Sequence, residues 1–312
     1  MIGRAEIDAA AAKIGGHVRR TPVLALEAGA LGIDHPLTLK LEHTQITGSF
    51  KVRGAFTSLL GAELPQAGAV AISGGNHGAA VAHAATTLGA KSVVFVPGQI
   101  AKEVKLARMR AFGAEVIVTE GNVDQAVRRY LDYARDTGAL AVHPYDSPTT
   151  IAGQGTVARE MEEQMDGIDT VLVSVGGGGL IGGVAAWFGG RVKVVAVETE
   201  GTATLDLTLK GTLPGDFSAS GISASGLGAS SIGALNIEII RAHVAQNVVI
   251  TDADVMEAGR RLWGATRLVC EPGGVTALAA LTSGAYVPAP GERVAVLMCG
   301  GNAEPDWFEA AA

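Results

Sequence analysis

Apolar residues along this chain change period many times, and each change marks an element. Glu6 to Val18 spaces its apolar residues for an amphipathic helix, which Thr21-Pro22-Val23 breaks. Leu37-Thr38-Leu39-Lys40-Leu41 alternates and predicts a strand. Ser49 stands where it can cap a helix running from Phe50 to about Leu60. From there apolar runs and helical patterns take turns. Strands are predicted at 69–72, 92–96, 115–118 and 139–142, separated by helices at 78–88, 101–112 and 122–136. The second half reads as helix 151–165, strand 170–174, helix 180–188, strand 192–197, strand 247–250, helices 252–266 and 273–283, and strand 293–298. Residues 211–233 are rich in Gly and Ser without periodicity, which predicts a long loop of the kind that often carries function. Strands alternating with helices imply crossover connections, parallel sheets and an α/β fold class.

Composition narrows the class. The 312 residues suit one or two domains. Hydrophobic residues at 48% and charged residues at 18% supply a large core and argue against disorder. The 43 glycines are about twice the average share and predict close backbone approaches, to ligands or between packed elements. A net charge of -7 without a long basic run argues against nucleic acid as a partner. Cys270 and Cys299 form no CxxC pair and fit a reducing compartment. The segment Met1 to Asp8 lacks an apolar signal core, and no apolar run approaches ~18 residues. A cytoplasmic protein without a membrane partner is the expectation.

Four segments carry candidate chemistry. Ser49-Phe50-Lys51 places a lysine in the first turn of a helix beside an aromatic ring, where burial lowers an amine's pKa and makes it nucleophilic. The plain alternative is an exposed lysine. Ser73-Gly74-Gly75-Asn76-His77-Gly78 joins a strand to a helix, and its backbone N–H groups suit a carboxylate, unless it is an ordinary turn. Val175-Gly176-Gly177-Gly178-Gly179-Leu180 also joins strand to helix, with four unhindered amides at the helix's positive end: a phosphate cradle. Met298-Cys299-Gly300-Gly301-Asn302 ends the last strand, where open α/β sheets bind ligands and a thiol can face a ring nitrogen, or simply pack in the core. A rival reading uses Gly177, Gly179 and Gly182 as G-x-G-x-x-G, with Glu198 as a ribose-binding acid of an NAD-dependent oxidoreductase. That reading leaves Lys51 and the Asn76 loop without a task.

Together and in this order, the four segments resemble the fold-type II pyridoxal-phosphate (PLP) enzymes, over nearly the whole chain. The resemblance implies a tryptophan synthase β-like fold: two open twisted α/β domains with the cofactor in the cleft. It implies a large domain of residues 1–52 and 145–312, and a small inserted domain of 53–144. It implies that Lys51 holds PLP as a Schiff base, with Phe50 beside it and Asn76 bonded to the ring hydroxyl oxygen. Gly176, Gly177, Gly178, Gly179 and Leu180 would hold the phosphate, and Cys299 would face the pyridine nitrogen. Ser73, Gly74, Gly75, Asn76 and His77 would bind the substrate carboxylate.

Lys51-Val52-Arg53-Gly54-Ala55, Gly75-Asn76-His77-Gly78, His143-Pro144 and Ile151-Ala152-Gly153-Gln154-Gly155-Thr156 look like the threonine/serine dehydratase and serine racemase branch. The implied activity is dehydrative deamination of threonine or serine to a 2-oxo acid and ammonia by a homodimer. Serine racemase and 3-hydroxyaspartate dehydratase are the alternatives within the branch. Metal-binding relatives carry acids shortly after the strand ending at Glu198. Thr202 and Thr204 stand there in this chain, so no metal is expected. Racemases carry a serine where this chain has Gly74, so elimination is expected to dominate. Ten residues follow Asn302, too few for the regulatory domain of biosynthetic threonine deaminases, and feedback by isoleucine is not expected.

Overall fold

The run Thr170–Ser174 is buried along its whole length, which only an interior strand covered on both faces permits. In the computed structural model, which describes residues 2–121, 123–304 and 307–308, that strand lies inside a six-stranded sheet. The strands are β1 (Val23–Leu26), β2 (Leu37–Lys40), β3 (Ala69–Ile72), β4 (Ser92–Pro97), β5 (Glu115–Thr119), β6 (Leu140–Ala141), β7 (Thr170–Ser174), β8 (Lys193–Thr199), β9 (Val244–Ile250) and β10 (Val294–Leu297). The helices are α1 (Arg4–Ile14), α2 (Lys51–Leu60), α3 (Asn76–Thr87), α4 (Glu103–Ala111), α5 (Val123–Thr137), α6 (Pro148–Gln164), α7 (Gly179–Phe188), α8 (Thr204–Lys210), α9 (Ala224–Leu227), α10 (Ala234–His243), α11 (Asp252–Thr266) and α12 (Pro272–Thr282).

The larger sheet has the order β1-β2-β10-β7-β8-β9 and the smaller one β5-β4-β3-β6. Every pairing is parallel except β1 with β2. The larger sheet therefore draws on both ends of the chain and the smaller one on its middle. One face of the larger sheet packs under α6 and α7, the other under α11 and α12. No described helix is long and apolar enough to cross a membrane.

Several glycines sit where helices cross. A Cβ on Gly183 of α7 would lie 2.5 Å from the amide nitrogen of Gly155 in α6. A Cβ on Gly153 of α6 would lie 2.8 Å from Gly54 Cα in α2. Helix α6 thus touches, backbone to backbone, both the helix that begins at Lys51 and the helix that follows the tetraglycine.

Four local readings change. Ser49 does not cap α2: its backbone makes an antiparallel bridge to Gly300, and its buried hydroxyl has no partner among the described residues. The cap position falls to Phe50, which offers no side-chain acceptor. Val23–Leu26 is a half-exposed edge strand whose residues show no alternation, so period gave no sign of it. Helix α10 is started from a distance, since Asp146 accepts from the amides of Ala234 (2.9 Å) and Leu235 (3.0 Å). The expected first helix also stops at Ile14 rather than Val18.

Candidate active site

The ends of three parallel strands deliver the four segments to one place. Phe50 donates its amide to the Cys299 carbonyl at 3.1 Å, which ties the start of α2 to the end of β10. One pocket is lined by Phe50, Lys51, Asn76, the stretch 176–180 and Cys299. Lys51 Nζ donates to the Pro144 carbonyl at 2.7 Å and makes no ion pair among the described residues. Burial pulls its pKa from 10.5 down to about 8, against a small opposing pull from Cys299. An amine so placed is largely neutral slightly above physiological pH and free to attack an aldehyde.

The tetraglycine turn is held from outside. The Gly177 carbonyl accepts from the Gly233 amide (3.1 Å) and from Asn236 Nδ2 (3.2 Å). Gly178 sits at φ +93, a conformation that favours glycine, and a Cβ there would lie 2.9 Å from Asn236 Cβ. The amides of Gly176, Gly177 and Gly178 have no partner among the described residues, and those of Gly179 and Leu180 open α7. Five donors at a helix's positive end form an anion cradle.

Asn76 is fixed from both sides. Its Nδ2 donates to Glu271 Oε1 at 2.6 Å, and its Oδ1 accepts from Asn302 Nδ2 at 2.5 Å. Burial raises the pKa of Glu271, opposed by the Asn76 hydrogen bond and by Lys105 and Arg108. On the far wall Cys299 Sγ donates to the Gly273 carbonyl at 3.4 Å. Burial pushes this thiol up to about 12, so it stays neutral.

The Asn76 loop is only partly arranged as expected. Ser73 Oγ accepts from the Gly75 amide at 3.1 Å, which tightens the turn. His77 points away from the pocket and meets the Val142 carbonyl at 2.9 Å. Burial holds its pKa down at about 3, so the ring is a neutral structural group and only its backbone faces the loop. A Cβ on Gly74 would lie 2.7 Å from the Ile100 side chain. Sequence reasoning missed Glu271, Asn236 and Tyr145, and gave Asn302 no role of its own; together they complete the site. Glu271-Pro272 reads as an ordinary helix start, and Tyr145 follows His143-Pro144 without a motif of its own.

The residues from 14 to 300 match the family model described as pyridoxal-phosphate dependent enzyme. The chain belongs to that family. It is 34% identical over 290 residues to the biosynthetic L-threonine dehydratase of Salmonella typhimurium, covering 90% of this chain and 56% of that protein. It is 32% identical over 304 residues to the beta-hydroxyaspartate dehydratase of Paracoccus denitrificans, covering 96% and 95%. Among solved structures, maize serine racemase matches with TM-score 0.90 and 29% identity, covering 99% of this chain and 96% of that one. A solved threonine deaminase matches with the same TM-score of 0.90 and 33% identity, covering 97% and 99%. The chain spans little more than half the length of the biosynthetic dehydratases it matches.

The pocket suits PLP on its own chemistry. It offers an unpaired amine for the aldehyde, five free amides for the phosphate, a fixed amide for the ring oxygen and a neutral thiol for a neutral ring nitrogen. The oxidoreductase reading loses its acid. Glu198 is fully buried and accepts from the Leu205 (2.7 Å) and Asp206 (2.8 Å) amides, so it caps α8 instead of facing a ribose. No group of three or more His, Cys, Asp or Glu that could hold a metal occurs among the described residues.

Proposed function

We propose that this enzyme catalyses the dehydrative deamination of a β-hydroxy amino acid, with L-threonine and L-serine as reference substrates, to a 2-oxo acid and ammonia. One observation carries the reading: the unpaired, desolvated Lys51 amine shares a pocket with the free amides at the start of α7. Bound there, PLP supplies an aldehyde carbon for imine exchange and a ring that accepts the electron pair released at Cα. Lys51 would hold the cofactor and would serve as the base for the α-proton; its lowered pKa suits proton transfer near neutral pH. The α7 amides hold the phosphate, Asn76 orients the ring oxygen, and the backbone of the Ser73 to His77 loop, with Asn76, receives the substrate carboxylate. Cys299, held neutral, would offer the ring nitrogen no charge and so would favour elimination over transamination. The cofactor would sit in the cleft between the large lobe of 1–52 and 145–312 and the small lobe of 53–144. A cytoplasmic homodimer belongs to the same reading, tested by light scattering and fractionation.

Elimination is favoured over racemisation because the position before Gly75-Asn76-His77-Gly78 is Gly74, which has no proton to deliver to the face opposite Lys51. The test is a 2-oxo acid assay on L-threonine and L-serine, with chiral chromatography of a partial L-serine reaction. Pyruvate should form with little D-serine, and Lys51→Ala should abolish turnover. D-serine accumulating faster than pyruvate would sink the dehydratase reading. Gly74→Ser, for which the half-exposed Ile100 must move aside, should add D-serine formation.

A further inference from the structure

A second cleft of about 500 Å³ opens beside the cofactor pocket and shares Asn76 and Glu271 with it. Its charge is unlike the rest of the molecule. Lys102, Lys105 and Arg108 line it from one face of α4 and its cap, three residues apart, in a chain whose net charge is -7. Against them stand two acids. Glu271 is buried, with Oε1 accepting from Asn76, and attracts Lys105 and Arg108; Glu304 is exposed at the cleft.

Glu271 offsets these cations only in part, and two of them have no direct partner. Neither Lys102 nor Lys105 makes an ion pair or side-chain hydrogen bond among the described residues. Other cations differ: on α4 Arg110 pairs with Glu103, and elsewhere Lys210 pairs with Asp206. Lys105 is half-buried; burial disfavours its charge most, Glu271 partly offsets this, and the neighbouring Lys102 adds to it. Arg108 is held in place, with Nη2 on the Thr47 carbonyl at 2.9 Å and Nη1 on Asn302, the residue that also holds Asn76. A half-buried ammonium next to a like charge gains most from an anion that arrives with the substrate.

We infer that the α4 cations, Lys105 foremost, form a subsite for a second carboxylate, so that the substrate is a β-hydroxy amino dicarboxylic acid of which 3-hydroxyaspartate is the smallest. This rests on the dehydratase reading, because it assigns the first carboxylate to the Asn76 loop. A methyl group, as in threonine, leaves the ammonium unpaired in the same cleft. A phenyl ring would set an apolar face against it.

Two measurements on the holoenzyme test the subsite. The first compares kcat/KM for 3-hydroxyaspartate, L-threonine and phenylserine, in the native chain and in Lys105→Met. One charge-assisted contact corresponds to about tenfold to a hundredfold, so the native enzyme should prefer 3-hydroxyaspartate by at least ~10, and Lys105→Met should collapse that ratio. Lys105→Arg should restore most of it. The second is calorimetric binding of L-malate, which carries two carboxylates and no amine, against 3-hydroxybutyrate, which carries one. Malate should bind more tightly to the native holoenzyme, and Lys105→Met should remove the difference. Preference for threonine or phenylserine, or a substrate ratio unmoved by Lys105→Met, overturns the subsite. If no amino acid yields a 2-oxo acid, the dehydratase reading falls and malate binding alone decides the cleft: selective, Lys105-dependent binding upholds it and its absence refutes it.

Discussion

The reactivity of Lys51 can be read before any turnover. An exposed lysine titrates at 10.5, whereas burial brings Lys51 to about 8. Lowering the pKa enlarges the neutral, nucleophilic fraction at any pH below it. At pH 7.5 about a quarter of the buried amine is neutral, against about one part in a thousand for an exposed lysine, a ratio of roughly 250. The variable to change is therefore pH, applied to apoenzyme freed of cofactor and mixed with PLP at pH 6.5 to 10.

Stopped-flow absorbance follows the lysine adduct, and borohydride trapping with peptide mapping confirms Lys51. The adduct rate constant should climb about tenfold per pH unit at the low end and level off above pH ~8.5. Above pH 7 the phosphate is largely dianionic, so its own titration does not create the plateau. A rate that keeps rising tenfold per unit through pH 9.5 would contradict this. The lysine would then behave as exposed, and the desolvated pocket would be the wrong account of it.

The other predictions concern the frame of the site. Gly178→Ala forces a left-handed residue and a Cβ against Asn236, so it should cost about 1–3 kcal/mol in urea unfolding and weaken cofactor retention. Arg53→Met strands the buried Glu42 carboxylate and should cost about 3–5 kcal/mol in the same assay. Cys299→Ser keeps a neutral partner and should stay active, whereas Cys299→Asp brings a charge and should shift products towards transamination, read by product analysis.

How much of this was legible in sequence depends on how local each feature is. The strand-to-helix turns at 73–78 and 175–180 were legible because glycine runs and the adjoining apolar runs are contiguous. Lys51 was legible only as one member of an ordered set, since nothing in Ser49-Phe50-Lys51 alone distinguishes a buried amine. Helix α10 was not legible, because Asp146 starts it across 88 residues of chain. The roles of Glu271 and Asn302 were equally hidden. Both act on Asn76 from about two hundred residues away, and only the folded arrangement brings the three amide and carboxyl groups together.

The same arrangement gathers the carboxylates and cations beside α2. Carboxylates that stand around α2 are engaged elsewhere. Glu42 takes Arg53 Nε (2.8 Å) and Nη2 (2.7 Å) together with the Thr21 hydroxyl. Glu160 takes Arg53 Nη1 at 2.8 Å and Lys40 Nζ at 2.7 Å. Glu271 is turned to Asn76. A buried cluster of this kind adds little net stability over an apolar one, because desolvation offsets most of the attraction. Lys51 stands apart from that cluster: it finds only the Pro144 carbonyl, and burial pulls its pKa down. Arg53→Met tests this too. If burial sets the amine, freeing Glu42 and half of Glu160 in a folded variant should leave the plateau of the adduct rate where it is. A plateau moved to higher pH would show that the carboxylates around α2 reach Lys51.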